Sequence, residues 1–424
     1  MLKKFAVILF SICLLFPLSV AAWDDVGHKT TAYIAWRQMT PQARERVSKL
    51  LQNAPEDSDL SVFFMGDARS LGVRQMEHFM IASTWADIVR DRDFKARYGK
   101  YHKGNWHYSD TFWRGAGGQP VTIVENPNEE GGKAVEKLIE FDKVLRDRSA
   151  SEAEKAIALA WILHLIGDLH QPLHTSARIT DLEPKGDQGG NLFQLKPKET
   201  PRNQQENLHW FWDSIIVRNT PRGDECDTAF IPKVAGAIMK KYPAAKSTSR
   251  LNPGKYDDWQ KESFQLATTE VFPATLIRYQ SPNADYKKRA FQVSQQQIAL
   301  AGYRMGALLN EIFGTPPAGN SQSDTEKYRR EAEQAGSKIG QGENDSWIWF
   351  RTRAALLSTS ELRDSTINLD VIESMVILKG TVAASAQKRK AEAVAESITG
   401  VKAVKNMLKV APNDSLQKTE TKKN

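Results

Sequence analysis

The chain has 424 residues, 41% hydrophobic and 26% charged, with a formal net charge of +7. After residue 22 no stretch approaches the ~20 apolar residues that a membrane-crossing helix needs. The basic balance suits an anionic partner, nucleic acid or an anionic lipid surface, as well as it suits plain solubility.

The first 22 residues have the layout of a secretory signal peptide. Lys3 and Lys4 precede an apolar run over residues 5–18, and Ser19-Val20-Ala21-Ala22 supplies small residues for cleavage. Cutting there leaves Trp23 with a free amine, five residues before His28, and this pair can chelate a metal. Removing 22 residues from 424 leaves 402, and losing Lys3 and Lys4 lowers the charge from +7 to +5. A chain of that length is expected to form two domains. Cys13 leaves with the leader, so Cys226 stands alone and no internal disulfide is available. An exported fold of this kind must rest on its core, on metal, or on both.

Residues 23–314 read as mainly helical. Thr40-Pro41 is a cap followed by proline at the first helical position, opening a helix with Ala43, Val47 and Leu50 on one face. Ser151 and Glu154 form a capping box ahead of a long apolar helix through Trp161 and Asp168. Residues 284–313 repeat apolar positions at Phe291, Ile298, Ala301, Met305, Leu308 and Ile312, one buried helical stripe. Residues 191–195 are the best short strand in this domain. Residues 315–343, opening with Pro316-Pro317-Ala318-Gly319, read as a linker with some helix. Residues 344–412 read as helix, strand, strand, helix, strand. The helices fall at 347–357 and 388–398, and the hairpin 367–382 turns at Glu373-Ser374, giving a small α+β domain. Residues 413–424 read as a disordered polar tail.

Six segments of the first domain concentrate histidine and aspartate. They are Trp23…His28, Trp85-Ala86-Asp87, Trp106-His107-Tyr108, His164…Asp168, Gln171-Pro172-Leu173-His174 and His209…Asp213. Two are His-x-x-x-Asp pairs, and residues four apart on a helix share a face with Cβ atoms about 5–6 Å apart. Imidazole and carboxylate together suit Zn²⁺. A lone His or Asp on an apolar helix is usually a satisfied core or surface group. Two such pairs, one of them in a run too apolar to hold an unpaired charge cheaply, point to metal instead. His78 and His102 have no partner at helical spacing, and His170, two after Asp168, points away from the His164 face; all three read as structural or supporting residues.

These segments, with Gly189-Gly190-Asn191, make residues 23–313 resemble the single-strand-specific, zinc-dependent nucleases of fungi, plants and bacteria. Those enzymes share a helical fold with bacterial zinc phospholipases C. The resemblance implies three zinc ions. Asp87, His107, His164 and Asp168 would hold one; His174, His209 and Asp213 a second; the Trp23 amine and carbonyl, His28 and a bridging Asp168 the third. Asp87 would also orient the attacking water. Arg90, where the family has a basic residue, would contact the scissile phosphate, and Asn191 would help stabilise the pentavalent charge. Tyr108 would stack on a nucleobase and Asp110 would hydrogen-bond its edge. Stacking requires an unpaired base, which accounts for single-strand preference. Trp106, Trp210 and Trp212 read as core supports for the metal-bearing helices.

Residues 344–412 resemble the BON domain of bacterial envelope proteins. The likeness rests on Ile367-x-Leu369-x-Val371, Val376-x-Leu378-x-Gly380-Thr381-Val382 and Gly400-Val401-x-x-Val404-x-Asn406-x-Leu408. It implies contact with phospholipid or envelope. The expectation is therefore an exported, monomeric, periplasmic or secreted zinc-dependent endonuclease and 3′-nucleotidase. It would act on single-stranded DNA, RNA and 3′-nucleotides and release 5′-phosphate products. Two alternatives stand beside it: a zinc phospholipase C, and a non-enzymatic envelope-binding protein with structural zinc.

Overall fold

The computed structural model describes residues 23–115, 120–127, 132–314, 322–342, 344–362, 365–398 and 400–411. The expected signal peptide and polar tail lie outside the described residues. No helix among the described residues is long and apolar enough to cross a membrane.

The first domain is built around helices that are buried on nearly every side. α1 (Asp25–Gln38) is capped by Asp24, whose carboxylate accepts from the Gly27 amide at 2.9 Å. In α2 (Pro41–Gln52), Thr40 caps the Ala43 amide at 3.2 Å and Pro41 fills the first helical position, where no intrahelical donor is lost. There follow α3 (Leu71–Ala82), the single turn α4 (Trp85–Ile88) and α5 (Lys95–Tyr101). A small sheet begins with β1 (Thr111–Arg114) and β2 (Thr122–Ile123), and α6 (Ala134–Arg146) leads to the central helix α7 (Glu152–Leu169). The Ser151–Glu154 capping box is present at the head of α7 and contributes about 1 kcal/mol. Every residue of α7 from Ala158 onward is buried, so it has no solvent face and must be enclosed. It packs against α6, α2, α4 and α1.

After α7 come β3 (Ser176–Arg178), α8 (Leu208–Asp213), α9 (Ile215–Asn219), α10 (Asp227–Lys241), α11 (Tyr256–Leu266) and the 30-residue α12 (Ala284–Phe313). α12 lies along α1, and Gly302 makes the approach feasible. A Cβ there would stand 2.6 Å from the Ile34 side chain and 2.8 Å from the Thr31 carbonyl. One continuous core joins these helices.

The strands differ from the expectation. Residues 191–195 make one isolated bridge, Gln194 with Asn207, because Gln188, Gly189 and Gly190 all adopt positive φ and turn the chain just before it. The sheet instead has the order β2-β1-β3, with β1 parallel to β3 and antiparallel to β2. Strands of two to four residues are too short to show an alternation in sequence.

The second domain buries its own core. α13 (Gln322–Gln334) precedes α14 (Asp345–Ser358), β4 (Thr366–Ile372), β5 (Met375–Val382), α15 (Ser385–Glu396), β6 (Ala403–Asn406) and β7 (Lys409–Val410). β4 and β5 form a hairpin, β6 runs parallel to β5 after the α15 crossover, and β7 continues on β5. The turn places Glu373 and Ser374 at positive φ with no glycine, and the Asp345 carboxylate accepts both amides, at 2.9 and 2.7 Å. Part of the expected linker packs on this domain: Ala332 is buried in its core, and Arg329 donates to the Gly340 carbonyl at 2.7 Å.

Candidate metal centre

Two ligand-bearing segments are joined by the small sheet. His107 and His174 each sit just ahead of a strand, and those strands, β1 and β3, pair in parallel. Ser109 N donates to the His174 carbonyl at 2.9 Å, and His174 Nδ1 to the His107 carbonyl at 2.7 Å. The α6–α7 crossover between them carries His164 and Asp168 to the same place. α4 brings Asp87, anchored by Trp85, whose indole donates to the Ser58 carbonyl and packs edge-on against Trp161. α1 brings His28 so close to α7 that its ring would lie 2.7 Å from a Cβ at position 167, which is glycine.

The donor atoms converge. His107 Nδ1 lies 3.0 Å from His164 Nε2 and 3.1 Å from Asp168 Oδ2, and His164 Nε2 lies 3.3 Å from Asp168 Oδ2. Asp87 Oδ1 lies 3.7 Å from His164 Nε2 and 4.0 Å from His107 Nδ1. A tetrahedral zinc with ligands at 2.0–2.1 Å needs donors about 3.3 Å apart, so the set brackets the required size. The other oxygen of Asp168 is 3.2 Å from His28 Nε2. One carboxylate thus faces two imidazole groups with different oxygens, the arrangement of a bridging ligand. The third cluster is His174, His209 and Asp213, with Asp213 Oδ2 3.3 Å from His209 Nε2. Trp23 is fully buried beside α1, and the next amide, Asp24 N, donates to the Asp213 carbonyl at 3.1 Å. The segment entering α1 is thereby pinned to the stretch of chain that carries the third cluster.

The opposite ring nitrogens are already committed. His164 Nδ1 meets the Ser83 carbonyl at 2.8 Å, and His209 Nδ1 meets the Gly189 carbonyl at 2.7 Å. Donating there fixes each tautomer and leaves a lone pair on Nε2. Gly189, at φ 61°, has no Cβ to strike the Leu173 carbonyl 2.4 Å away. Inside the cluster the atoms His28 Nε2, Asp87 Oδ1, Asp168 Oδ1, His174 Nε2, His209 Nε2 and Asp213 Oδ2 are buried without a hydrogen-bond partner. Each such atom costs about 1–3 kcal/mol if left so. A concentration of orphaned lone pairs and carboxylates is the donor set of a cation site, and the residues fit zinc.

The electrostatics agree with that fit. Burial, with Arg90 nearby, holds His107 down to about 3, and burial with His174 nearby does the same to His209. Burial also lowers His28 and His174, so these four rings are neutral bases. His164 is raised because the Asp168 and Asp87 carboxylates outweigh its burial. Asp168 is held well below the carboxylate range despite burial, chiefly by His164 and His107. Asp213 is pushed well above it by burial, with only Gln171 opposing appreciably. Two carboxylates, Asp87 and Asp168, are thus set to stay ionised, and the fixed cation beside the cluster is Arg90, 3.0 Å from Asp87 Oδ1.

The remaining expected residues lie around this centre in different ways. Arg90 has a buried, unpartnered Nε in addition to its Asp87 contact. Tyr108 is half-buried, with one ring edge against the Gly132 backbone. Asp110 is half-buried, its carboxyl pushed well up by burial and by the Asp187 carboxylate. Asn191 donates to the Gln188 carbonyl at 2.8 Å within its own turn, and its oxygen accepts from Asn207, the cap of α8, at 3.4 Å. Trp212 is fully buried, Trp106 packs on Phe141 and Trp161, but Trp210 is 45% exposed and does not support the core. On the short helix α8 its position is turned away from Leu208, Phe211 and Trp212, which take the buried side.

Sequence reading missed a supporting layer. Gln171 is fully buried, donates to Asp213 Oδ1 at 2.7 Å, and accepts from the Leu173 amide at 2.6 Å. Its place between Asp168 and His174 was the available signal. His170 is held by Arg304, whose guanidinium is buried and lies 2.9 Å from its Nε2; Arg304 also pairs with Glu262. That partner is more than a hundred residues away, and spacing cannot reveal it.

Residues 23–314 match the family model described as S1/P1 Nuclease, and residues 344–412 match that of the BON domain. Nuclease PA3 of a Penicillium species is 22% identical over 307 residues, covering 69% of this chain and 98% of its own. Nuclease P1 of Penicillium citrinum is 23% identical over 309 residues, covering 69% and 98%. Endonuclease 4 of Arabidopsis thaliana is 23% identical over 321 residues, covering 70% and 90%.

Proposed function

The chain belongs to the S1/P1 nuclease family and is a phosphodiesterase of that kind, and from this premise we propose that it is an exported, zinc-dependent endonuclease and 3′-nucleotidase cleaving single-stranded DNA and RNA to 5′-phosphate products. The observation that carries the proposal is the position of Asp168, whose two oxygens face His28 on one side and His107 with His164 on the other. Three ions would be held, by Asp87, His107, His164 and Asp168, by His174, His209 and Asp213, and by Trp23, His28 and Asp168. When bound, such ions supply hydroxide at neutral pH and neutralise charge on the phosphate and the departing O3′.

The protein's own groups do the rest. Asp87, its side chain 22% exposed, accepts a hydrogen bond from the attacking water and so directs the water's lone pair at phosphorus. Arg90, already aligned by Asp87, donates its unpartnered Nε–H and remaining N–H groups to the non-bridging oxygens. Asn191 adds a neutral donor if its loop contact to Gln188 is exchanged for phosphate. Tyr108 stacks on a base, and Asp110, its carboxyl pushed well up by burial and by the Asp187 carboxylate, hydrogen-bonds the base edge.

Export rests on the leader, residues 1–22, whose removal would free the Trp23 amine. The BON domain supports contact with the envelope. A turnover panel on single-stranded DNA, RNA, 3′-AMP and phosphatidylcholine, with and without chelator, tests the reading. Zinc-dependent turnover of the three nucleotide substrates is expected. Turnover of the lipid alone would transfer the site to phospholipase chemistry, and a metal-replete protein inert on all four would make the zinc structural.

A further inference from the structure

Beside the metal centre lies a group of basic side chains that the cleavage chemistry does not use. Arg92 follows Arg90 by two residues and sets its guanidinium 5.6 Å from the centre of the Tyr98 ring. His102 stacks on that same ring, centroids 4.7 Å apart and planes within 20°, and Lys103 follows it, four residues before the ligand His107. The row therefore begins at Arg90 and Asp87 and returns toward His107. Its cations are unneutralised: neither Arg92 nor Lys103 forms an ion pair among the described residues. On the intervening helix α5, by contrast, Arg97 is tied to Asp59 at 2.8 Å and Lys100 to Asp57 at 2.6 Å. Asp91 and Asp93 flank Arg92 in sequence, but Asp91 is turned to its own loop, accepting the Asp93 amide at 2.9 Å. After burial, Arg90, Arg92 and Lys103 all hold the His102 imidazole down, and Asp87 opposes them. His102 Nδ1 is buried without a partner.

We propose that Arg92, His102 and Lys103 form a subsite for a second phosphodiester of the substrate strand, next to the one being cut. The inference rests on the nuclease reading and deepens it. A nucleic-acid strand carries one anionic phosphate per nucleotide, and a site that acts on polymer gains affinity from each phosphate it neutralises outside the reacting one. An unpaired guanidinium that shares the Tyr98 ring with a half-buried imidazole, and an ammonium on the next residue, match an anion held by charge and by hydrogen-bond donors. The subsite distinguishes polymer from mononucleotide, because 3′-AMP has a single phosphate and leaves it empty.

The test uses the metal-replete mature chain and its Arg92→Ala/Lys103→Ala variant. The probes are a ten-residue oligothymidylate and 3′-AMP, each assayed over a range of NaCl. In the variant, kcat/KM for the oligonucleotide should fall about ten-fold. Its log–log dependence on salt should become shallower by about 1.4, or ~0.7 for each of two lost contacts on a single strand. Turnover of 3′-AMP should not change, and Arg92→Lys/Lys103→Arg should keep the parental salt slope. An unchanged oligonucleotide rate and slope, or equal loss on both substrates, would overturn the subsite. A parent protein that turns over neither substrate would instead defeat the nuclease reading, and would do so before any substitution is made.

Discussion

Replacing Asp168 by asparagine is the most exacting perturbation of the centre. The side chain is fully buried, and its oxygens lie 3.1 and 3.3 Å from His107 and His164 on one side and 3.2 Å from His28 on the other. An amide keeps the volume but makes one of those two atoms a donor, aimed at nitrogens that must themselves present lone pairs. It also removes one of the two carboxylate charges, on Asp87 and Asp168, that are set to stay ionised. Altering residues that merely support metal ligands costs about 10–100-fold in metal affinity. Loss of a bridging ligand should exceed that range at both ions it serves, more than about 2.7 kcal/mol each. Equilibrium dialysis against a zinc buffer, followed by metal analysis, reads this directly. The Asp168→Asn protein should retain about one zinc, at His174, His209 and Asp213, and lose nearly all turnover. Parental zinc content and parental activity in the folded variant would refute the bridging role.

Other outcomes follow from the same geometry. Gln171→Met removes the donor to Asp213 and the acceptor of the Leu173 amide; zinc at the adjacent site should weaken about 10–100-fold, measured by competition with a chromophoric chelator, and unchanged affinity would count against the positioning role. Asp187 is pushed up to about 6 by burial, above its usual 3.8, so the fold prefers the protonated acid. Its destabilising effect is absent below pH 3.8 and complete above pH 6, about 3 kcal/mol. Asp187→Asn should therefore gain stability relative to the parent as pH rises across that window, read by urea unfolding at pH 4.5 and 7; a difference independent of pH would contradict the shift. Because the two domains bury separate cores, deleting residues 315–424 should leave 3′-AMP hydrolysis intact, and collapse of turnover would show that they depend on one another.

The helical framework was legible because its signals are local. Thr40-Pro41, the Ser151–Glu154 box and the stripe from Phe291 to Ile312 each declare a helix within a few residues, and α2, α7 and α12 begin or run where those signals lie. The hairpin of the second domain was legible from alternation and its polar turn, although the positive φ at Glu373 and Ser374 depends on Asp345, 28 residues earlier. The ligand clusters were visible as His-x-x-x-Asp spacing, but their union is not written in any spacing. It depends on β1 and β3, strands of four and three residues, which bring His107 to His174. Trp210 was misread because a tryptophan between two buried aromatics looks like core until the turn of α8 is known. The basic row at Arg92, His102 and Lys103 was passed over for the opposite reason. Its members are unremarkable singly, and only the Tyr98 ring, against which Arg92 and His102 both lie, relates two of them.

Zinc analysis of the mature, purified chain, starting at Trp23, tests the account most directly when paired with a single-stranded DNA assay before and after chelation. Three zinc ions per chain are expected, with activity lost on chelation and restored by zinc. A protein isolated from zinc-containing medium without the metal, cleaving equally well in the presence of chelator, would contradict the account at its base.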